Sequence, residues 1–533
     1  MADNQLPLRG GTIETRPIYV EEWLDSLPYI DFNNSARLLH AALKASNDVS
    51  MKASQRLELV SLYNRPYQYY LDTQVRTGAQ HTLQSIDKMQ AQVICMKPLA
   101  IELARASRRA VDDALTHKSL WGQNKQPLQA ILMAINYLSH TLIYNFLEYA
   151  PTPSRIWQEL NFLYQYAENI NQHNVPVKLI GENKKGNTTT IDQAYKRIAL
   201  LSLADPYHLP FGAIWEIHVQ VSDWLDLVNM GPFREASDPN GIFVINLGAD
   251  KGPLPYIKFN RANASDKHRL LITEKLLVTI HNQLQQVSNS EGMKPDFAFS
   301  EYYAGHLLDI VSKAWGMPPK RYFPRKAKTG RLNLAHGING IYFYLNDETE
   351  FLVEEDPDEG EIITGNPVTT MAAGKNGYKK ETWHLADTSS GGFAMTREGK
   401  PAGIVRVGDL IGVSLDEEHY PKETFRVGVI RWLLVRQGKI YKAGVQLLNR
   451  QIYPGSIHAV DGNVTESTYR RAILTGQPGK HKEISVITSK GLFAADKKLE
   501  IQFRNLTFPC TVNKQLESTT CFDHFSVTVE TPA

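Results

Sequence analysis

The spacing of apolar residues divides this chain into a helical part and a strand-rich part. From Pro17 to about Trp315, apolar residues recur mainly three and four positions apart, which is typical of amphipathic helices. After Met317-Pro318-Pro319, apolar and polar residues alternate in short runs separated by glycines, which is typical of antiparallel strands. The pattern therefore predicts a multidomain α+β protein, with a mainly α-helical N-terminal half followed by a β-rich region.

Helices are predicted throughout the first part. One is expected near residues 55–63 and should end before Pro66, because proline removes a helical hydrogen bond and clashes with the preceding turn. A longer helix is expected over residues 82–114, where Pro98 should kink or break it for the same reason. Residues 130–147 are apolar on most sides but contain several polar side chains, so they predict a buried central helix and no membrane span.

Local signals predict further elements of this part. The segment Thr190-Ile191-Asp192-Gln193 has the pattern of a capping box, in which the first and last side chains accept hydrogen bonds from each other's backbone N–H groups. Residues 241–247 predict a short strand paired with residues 253–259. Helices are expected to return at residues 269–286 and 301–315.

Short strands are predicted in the second part. Residues 331–345 predict a strand broken by Gly337 and Gly340, and residues 425–435 and 441–447 predict a hairpin. Many short strands with glycine-rich turns favour a small antiparallel β-barrel. Three further strands are predicted near the C-terminus: residues 484–487, 499–503 and 525–529. These either extend the barrel or form a lid on it.

The length of 533 residues is enough for about two to four domains. The changes of pattern predict four segments: an α-helical domain at residues 1–175, a mainly α-helical domain with a short β insertion at 176–318, a β-barrel at 319–460 and a β-rich extension at 461–533.

Composition excludes several classes of protein. The net charge of +2 argues against a general binder of DNA, RNA or anionic membranes. Cys95, Cys510 and Cys521 are scattered, so they predict neither a disulfide framework nor a metal site, and they fit a reducing compartment. The N-terminus shows no apolar signal segment. We therefore expect a cytoplasmic protein without a metal or cofactor.

A polar turn follows the strand predicted from Trp383. Its members are Asp387, Ser389, Ser390, Gly391 and Gly392. Asp and Ser side chains accept hydrogen bonds from nearby backbone N–H groups, and glycines allow backbone angles that other residues avoid. Such a turn can present several donors at one point, so it is a candidate cradle for an anion or a nucleobase. Turns of this composition are also common without any ligand.

A basic segment precedes this strand-rich region. Between Lys313 and Arg331 the chain has seven lysines or arginines and no acidic residue. Arg321 and Arg325 lie four residues apart within it, and Lys320 directly precedes the first. This local cluster gives a positive field in a nearly neutral protein, which suits an anionic ligand.

These motifs, in this order, resemble the PilZ domain. The resemblance consists of Arg-x-x-x-Arg (Arg321, Arg325), Asp-x-Ser-x-x-Gly (Asp387, Ser389, Gly392), and then Val-Gly-Asp, Gly-Val-Ile-Arg-Trp and Gly-Val-Gln strands. It covers residues 320–448, and the whole chain is similar to long bacterial PilZ proteins with a helical N-terminal half. The resemblance implies a six-stranded β-barrel that binds the bacterial second messenger cyclic di-GMP.

The ligand's chemistry suits these residues. Guanine presents O6 and N7 as paired acceptors, which an arginine fork matches in a bidentate way, and the same fork binds phosphate oxygens. The Asp387 carboxylate can accept from the guanine N1–H and N2–H2 groups, while Ser389 and the turn amides can donate. The secondary ligand candidates are Lys320, Lys326, Arg331, Ser390, Gly391 and Trp432.

The resemblance implies a non-catalytic receptor that passes ligand binding on to its helical half, which in turn contacts a protein partner. Alternatives stay open from the residues alone. Lys326, Lys328 or Arg331 can replace one of the two arginines, because about sixty residues separate the motifs. Arg321 and Arg325 can instead pair with the acidic segment at residues 347–361. The barrel is then a degenerate interaction module of a scaffold or chaperone-like adaptor. An enzyme is disfavoured, since the common nucleophile, metal and P-loop motifs are missing from the sequence.

Overall fold

The structure is a computed structural model, and its chain divides into two compact units. The described residues are 6–78, 83–116, 126–178, 188–289, 304–317, 324–349, 378–401, 403, 405–415, 425–448, 451–460, 469–504, 506–519 and 521–530. The first unit comprises residues 1–81, 85–206 and 211–320, and the second comprises 82–84, 207–210 and 321–533.

The first unit is mainly helical. Its helices in the described part of the chain are α1 (Pro17–Asp25), α2 (Phe32–Asn47), α3 (Ala53–Gly78), α4 (Leu83–Thr116), α5 (Gln126–Leu147), α6 (Ile156–Asn169), α7 (Ile191–Leu203), α8 (Ala213–Val221), α9 (Glu274–Asn289) and α10 (Ala304–Trp315). The expected helical N-terminal half is thereby confirmed.

Short strands accompany these helices. Two hairpins are formed by β1 (Leu8–Arg9) with β2 (Thr12–Ile13), and by β3 (Val177–Lys178) with β4 (Thr188–Thr189). A four-stranded sheet in the order β5-β8-β6-β7 contains β5 (Asn229–Pro232), β6 (Ile242–Asn246), β7 (Leu254–Pro255) and β8 (His268–Ile272). The predicted pairing of residues 241–247 with 253–259 is the β6–β7 pair.

Two prolines lie inside helices that were expected to end or break there. Pro66 is within α3, so the predicted end of that helix was wrong, and Pro98 is within α4, so the helix does not break there. Buried residues flank each proline on the same helix: Tyr63 and Tyr67 around Pro66, and Met96, Leu99 and Leu103 around Pro98. Packing of these side chains outweighs the cost of about 3 kcal/mol that proline imposes on a helix interior.

Two local predictions had different outcomes. The capping box at Thr190 is confirmed, because the Gln193 N–H donates to the Thr190 hydroxyl and the Thr190 N–H donates to the Gln193 side chain. The helix predicted from Arg269 instead begins at Glu274, because residues 268–272 form β8 and pair with both β5 and β6. Pairing on both edges thus overrides the helical spacing of the apolar residues there.

Helix α5 is the central helix of the first unit, as its apolar sequence predicted. It is long and apolar enough to cross a membrane by composition, but 89% of its most apolar window is buried inside the structure. Helices α6, α7 and α8 pack against it. Its apolar surface is therefore accounted for by protein packing.

The second unit contains two closed antiparallel barrels of six strands each. The first has the order β10-β11-β14-β13-β12-β9 and consists of β9 (Lys326–His336), β10 (Glu381–Ser389), β11 (Gly392–Glu398), β12 (Leu410–Leu415), β13 (Arg426–Arg436) and β14 (Ile440–Leu447). The second has the order β15-β16-β17-β20-β19-β18 and consists of β15 (Tyr453–Ala459), β16 (Arg470–Thr475), β17 (Glu483–Thr488), β18 (Lys498–Phe503), β19 (Leu506–Ser518) and β20 (Asp523–Val529).

The expected six-stranded barrel and β-rich C-terminal region are confirmed. The C-terminal strands neither add to the first barrel nor form a lid in the described part of the chain. They close on themselves around a buried core that includes Phe508, Phe525 and Val527.

Residues 337–345 form a helix and not the predicted continuation of a strand. This helix, α11 (Gly337–Leu345), follows β9 directly, and Gly337 adopts a positive φ of 67° where the direction of the chain changes. Ile338, Ile341 and Leu345 recur at helical spacing, which two glycines had obscured in the sequence.

Helix α11 lies between the two barrels and helps to join them. Ile341 packs in one buried cluster with Leu410, Val427 and Val429 of the first barrel and with Ile473, Ile487 and Phe522 of the second. The second unit is therefore held together by an apolar core that both barrels share.

Candidate functional site

The predicted polar turn is the tip of the β10–β11 hairpin. Ser389 is paired with Gly392, so Ser390 and Gly391 form a two-residue loop. The Ser389 hydroxyl donates to the Gly392 carbonyl at 3.2 Å and closes the loop. The turn was expected to start at Asp387. In the structure Asp387 is still in the strand, opposite Ala394.

A β-bulge determines the direction of the Asp387 side chain. The pairing of β10 with both neighbouring strands shifts between Leu385 and Asp387. Ala386 is the extra residue against β11, whereas against β9 the extra residue lies on β9. Before the bulge, Trp383 and Leu385 are buried in the barrel. Because one extra residue reverses the alternation of faces, Asp387 points to the outer face of the barrel.

Asp387 belongs to one row of residues across four strands. Its neighbours in register are Ala394 on β11, Gly444 on β14 and Trp432 on β13. Directly opposite residues share a face of a sheet, so this row lies on the outer face. The two middle residues of the row, an alanine and a glycine, are the smallest residue types. The two end residues carry the Asp387 carboxylate and the Trp432 indole.

Arg325 contacts Asp387. Since Lys326 pairs with Thr388, the backbone brings Arg325 level with Ser389. The Arg325 Nη1 atom lies 3.4 Å from Asp387 Oδ2, with 37% of the arginine side chain and 22% of the aspartate side chain exposed. The other carboxylate oxygen, Oδ1, is buried and accepts no hydrogen bond from the described residues. The pair is thus partly exposed to solvent, and its buried Oδ1 atom is an unused acceptor within the described part of the chain.

Gly392 is required by packing within the barrel. A Cβ atom there would lie 2.0 Å from the Val445 carbonyl oxygen. The Leu447 N–H also donates to the Gly391 carbonyl at 3.0 Å, so strand β14 anchors the loop. The backbone of β14 therefore approaches Gly392 closely.

Trp432 covers Gly444 on the outer face. A Cβ atom at Gly444 would lie 1.8 Å from Trp432 Nε1, so the indole occupies the space that a side chain at Gly444 would take. Ala394, next in the row, is fully buried. The tryptophan is half-buried and presents an aromatic surface at the end of the row that starts with Asp387.

The remaining predicted residues that the structure describes lie in the β10–β11 loop or on the neighbouring strand β9. Ser390 and Gly391 are exposed in the loop, and Lys326 is exposed opposite Thr388. Arg331 is exposed opposite His384, further along β9 and away from the loop. Arg321 and Lys320 lie outside the described residues. The structure thus brings Arg325, Asp387, Ser389 and Gly392 together at one hairpin.

Sequence reasoning missed two residues beside this hairpin. Gln446 on β14 is paired with Gly392, and Arg431 on β13 donates from Nε to Gln446 Oε1 at 2.7 Å. Both are part of the strand motifs that suggested the barrel. Their proximity depends on a second bulge, between Ile430 and Trp432, which the sequence pattern does not reveal.

The described residues contain no group of three or more His, Cys, Asp or Glu side chains that could hold a metal ion. The groups assembled at the hairpin are a guanidinium, a carboxylate, a hydroxyl and backbone amides. Together they can bind a ligand that carries both hydrogen-bond donors and anionic acceptors.

A closed six-stranded antiparallel barrel, with an arginine before its first strand and an Asp-x-Ser-x-x-Gly hairpin, defines a PilZ-type receptor domain. Comparisons with known proteins agree. The family model "Cyclic-di-GMP receptor FimW, N-terminal domain" matches residues 19–234, and "Cyclic-di-GMP receptor FimW, middle PilZ domain" matches residues 242–364. The chain belongs to this family of PilZ-domain cyclic di-GMP receptors.

A curated relative extends the similarity along the chain. The protein "Cyclic-di-GMP receptor FimW" of Pseudomonas aeruginosa is 21% identical over 564 residues, covering 96% of this chain and 90% of the relative. The match to the middle PilZ model ends at residue 364, so it overlaps β9 and α11 of the first barrel but not the β10–β11 hairpin.

Proposed function

We propose that this chain binds cyclic di-GMP at the β10–β11 hairpin of its first barrel. The observation that carries the proposal is the contact between Arg325 and Asp387, in which Asp387 Oδ1 accepts from no donor in the described part of the chain. Buried polar atoms are nearly always hydrogen-bonded, so this buried oxygen suits a ligand that brings donors as it binds against the partly exposed Asp387 side chain.

Each group has a complement on the ligand. The Asp387 carboxylate accepts from guanine N1–H and N2–H2. The Arg325 guanidinium, which carries five N–H donors in a fixed fork, binds a phosphate or the O6 and N7 atoms of guanine. The loop amides donate to remaining oxygens, and the Ser389 hydroxyl, whose one proton goes to the Gly392 carbonyl, accepts from a ligand N–H group. The Trp432 indole offers a stacking surface at the other end of the row.

Further residues of the basic segment add to this site. Arg321 supplies the second guanidinium. Lys320, Lys326 and Arg331 contribute positive field, and Ser390 and Gly391 contribute loop contacts. The net charge of the whole chain is near zero, so this segment, and not a general basic surface, attracts the ligand.

The ligand also acts on the helical half. The division between the two units falls between residues 320 and 321, so the Arg-x-x-x-Arg segment starts at the boundary. A ligand held by Arg321 and Arg325 acts on this segment and through it on the helical unit, which then binds a protein partner. The role is that of a non-catalytic cytoplasmic receptor.

Calorimetric titration of the full chain with cyclic di-GMP tests the proposal. We expect binding by the wild-type chain, and a loss of about fivefold to a hundredfold or more in Arg325→Ala, since a bidentate arginine contact is worth about 1–3 kcal/mol. Asp387→Asn should also weaken binding, because it removes a charged acceptor. Arg436→Ala is the matched control, as Arg436 is an exposed arginine at the far end of β13.

Two results would contradict the proposal. One is the absence of binding by the wild-type chain at high micromolar ligand. The other is undiminished binding by Arg325→Ala accompanied by a lower unfolding temperature, which would make the Arg325–Asp387 contact a structural ion pair of a scaffold.

A further inference from the structure

Glu517 of the second barrel binds Arg431 of the first. Both Glu517 carboxylate oxygens accept from the Arg431 guanidinium, with Nη2 lying 2.9 Å from Oε2. The arginine side chain is 35% exposed and the glutamate side chain is 20% exposed. Such a two-point contact fixes the plane of the guanidinium as well as its position.

Strand irregularities bring the two side chains together. Arg431 lies where the pairing of β13 with β14 shifts, between Ile430 and Trp432. Glu517 follows a shift in the pairing of β19 with β20, after Gln515. A bulge redirects a side chain that regular alternation would place elsewhere. The contact therefore depends on two irregular strands in two barrels.

Arg431 also links Glu517 to the β10–β11 hairpin. Its Nε–H donates to Gln446 Oε1 at 2.7 Å, and Gln446 is the β14 residue paired with Gly392. The next residue, Leu447, donates its N–H to the Gly391 carbonyl. The contacts Glu517–Arg431–Gln446 thus form a continuous chain that ends at the β10–β11 loop.

The orientation of Gln446 follows from this chain of contacts. A carboxamide is planar, with its oxygen and its NH2 group on opposite sides of one carbon. Because Arg431 occupies Oε1, the NH2 group points away from the guanidinium, and it has no partner among the described residues. Gln446 is exposed and lies in register with Gly392.

We propose that the second barrel takes part in ligand recognition through this chain of contacts. Gln446 donates from its NH2 group to an acceptor of the nucleotide, either a phosphate oxygen or guanine O6 or N7. Arg431 and Glu517 are positioning residues that hold Gln446 in this orientation. The shared apolar core around Ile341 keeps the barrels in a fixed relation, so Glu517 remains a rigid support. This inference rests on the proposed binding of cyclic di-GMP.

The first test removes the NH2 group of Gln446 and keeps an acceptor for Arg431 at that position. Gln446→Glu retains an acceptor for Arg431 and removes the NH2 group. In calorimetry with the full chain we expect an unchanged or higher unfolding temperature and affinity for cyclic di-GMP at least tenfold lower. Gln437→Glu, in the exposed β13–β14 turn, adds the same charge away from the hairpin and should bind as the wild type does. Wild-type affinity in Gln446→Glu would overturn the inference.

The second test separates positioning from stability. Arg431→Glu and Glu517→Arg should each lower the unfolding temperature and weaken binding. The double variant, with the charges exchanged, restores an ion pair between the barrels. It should recover the unfolding temperature but remain at least tenfold weaker in binding, because a carboxylate at position 431 cannot donate to Gln446. Recovery of both properties would overturn the inference. Glu517→Gln is a conservative companion, expected to bind several-fold more weakly than the wild type without loss of folding.

The two proposals fail in distinguishable ways. One outcome would remove only this inference. The wild-type chain would bind cyclic di-GMP strongly, Arg325→Ala would lose binding, and the Gln446 and Glu517 variants would bind as the wild type does. Absence of binding by the wild-type chain would remove the proposed function and this inference with it.

Discussion

Asp387 reaches the outer face of the barrel because one residue of β10 is left out of the pairing. Without the bulge at Ala386, the alternation that buries Trp383 and Leu385 would turn Asp387 inwards. The sequence motif predicted which residues meet, and the contact of Arg325 with Asp387 is consistent with it. The bulge was not predictable, because it is set by the pairing of three strands. The placement of Gln446 and Arg431 was missed for the same reason.

Gly444 tests the role of the Trp432 surface. In Gly444→Ala the new methyl group overlaps the indole, so Trp432 must move off the outer face. We expect a loss of about 1–3 kcal/mol in the free energy of unfolding, a change in tryptophan fluorescence and weaker binding of cyclic di-GMP. Chemical denaturation and calorimetry measure these effects.

Gly330→Ala is the control, because its methyl group would meet only ordinary contacts at 4.0 Å with Leu385. Unchanged fluorescence and affinity in Gly444→Ala would show that the indole neither occupies this space nor contributes to binding.

At the scale of elements, helices and strands were predictable where long apolar patterns were unbroken. The β13–β14 hairpin and the central α5 follow from such patterns. The failures lie where packing opposes a local signal: α3 and α4 continue through Pro66 and Pro98, and α11 forms despite Gly337 and Gly340. In each case the buried side chains supply more free energy than the local residue costs.

The packing of α5 predicts a pH-dependent stability of the helical unit. His140 on α5 is 8% exposed, its Nδ1 lies 2.9 Å from the Tyr67 hydroxyl, and its ring lies 5.7 Å from that of His218 on α8. Burial, with a smaller contribution from Arg197, lowers the pKa of His140 to about 3. Burial likewise lowers the pKa of His218.

The folded unit therefore keeps His140 neutral, whereas the unfolded chain protonates it below its ordinary pKa of about 6.5. The stabilisation is complete above that pH and is lost as the pH falls towards the folded pKa, by up to about 1.4 kcal/mol per pH unit. Urea unfolding followed by helical circular dichroism should show lower stability at about pH 5.5 than at about pH 7.5. His140→Gln should reduce this difference, and His281→Gln, at an exposed site on α9, should leave it unchanged. An equal pH dependence in His140→Gln would contradict the account.

At the scale of the whole molecule, the order of a helical half, a barrel and a β-rich extension was predictable from periodicity and motifs. The closure of the last six strands into a second barrel was not, because it depends on which distant strands pair, as β15 does with β18. That closure places Glu517 beside Arg431 and makes the second barrel part of the surroundings of the hairpin. The domain boundaries at residues 175, 318 and 460 stay predictions.

The most direct test of ligand binding is a crystal structure of the full chain with cyclic di-GMP. We expect the nucleotide at the β10–β11 hairpin, with a guanine or phosphate within hydrogen-bond distance of the Arg325 guanidinium and a guanine N1–H or N2–H2 donating to Asp387. A nucleotide bound elsewhere, with the Arg325–Asp387 contact unchanged and the hairpin unliganded, would contradict the account.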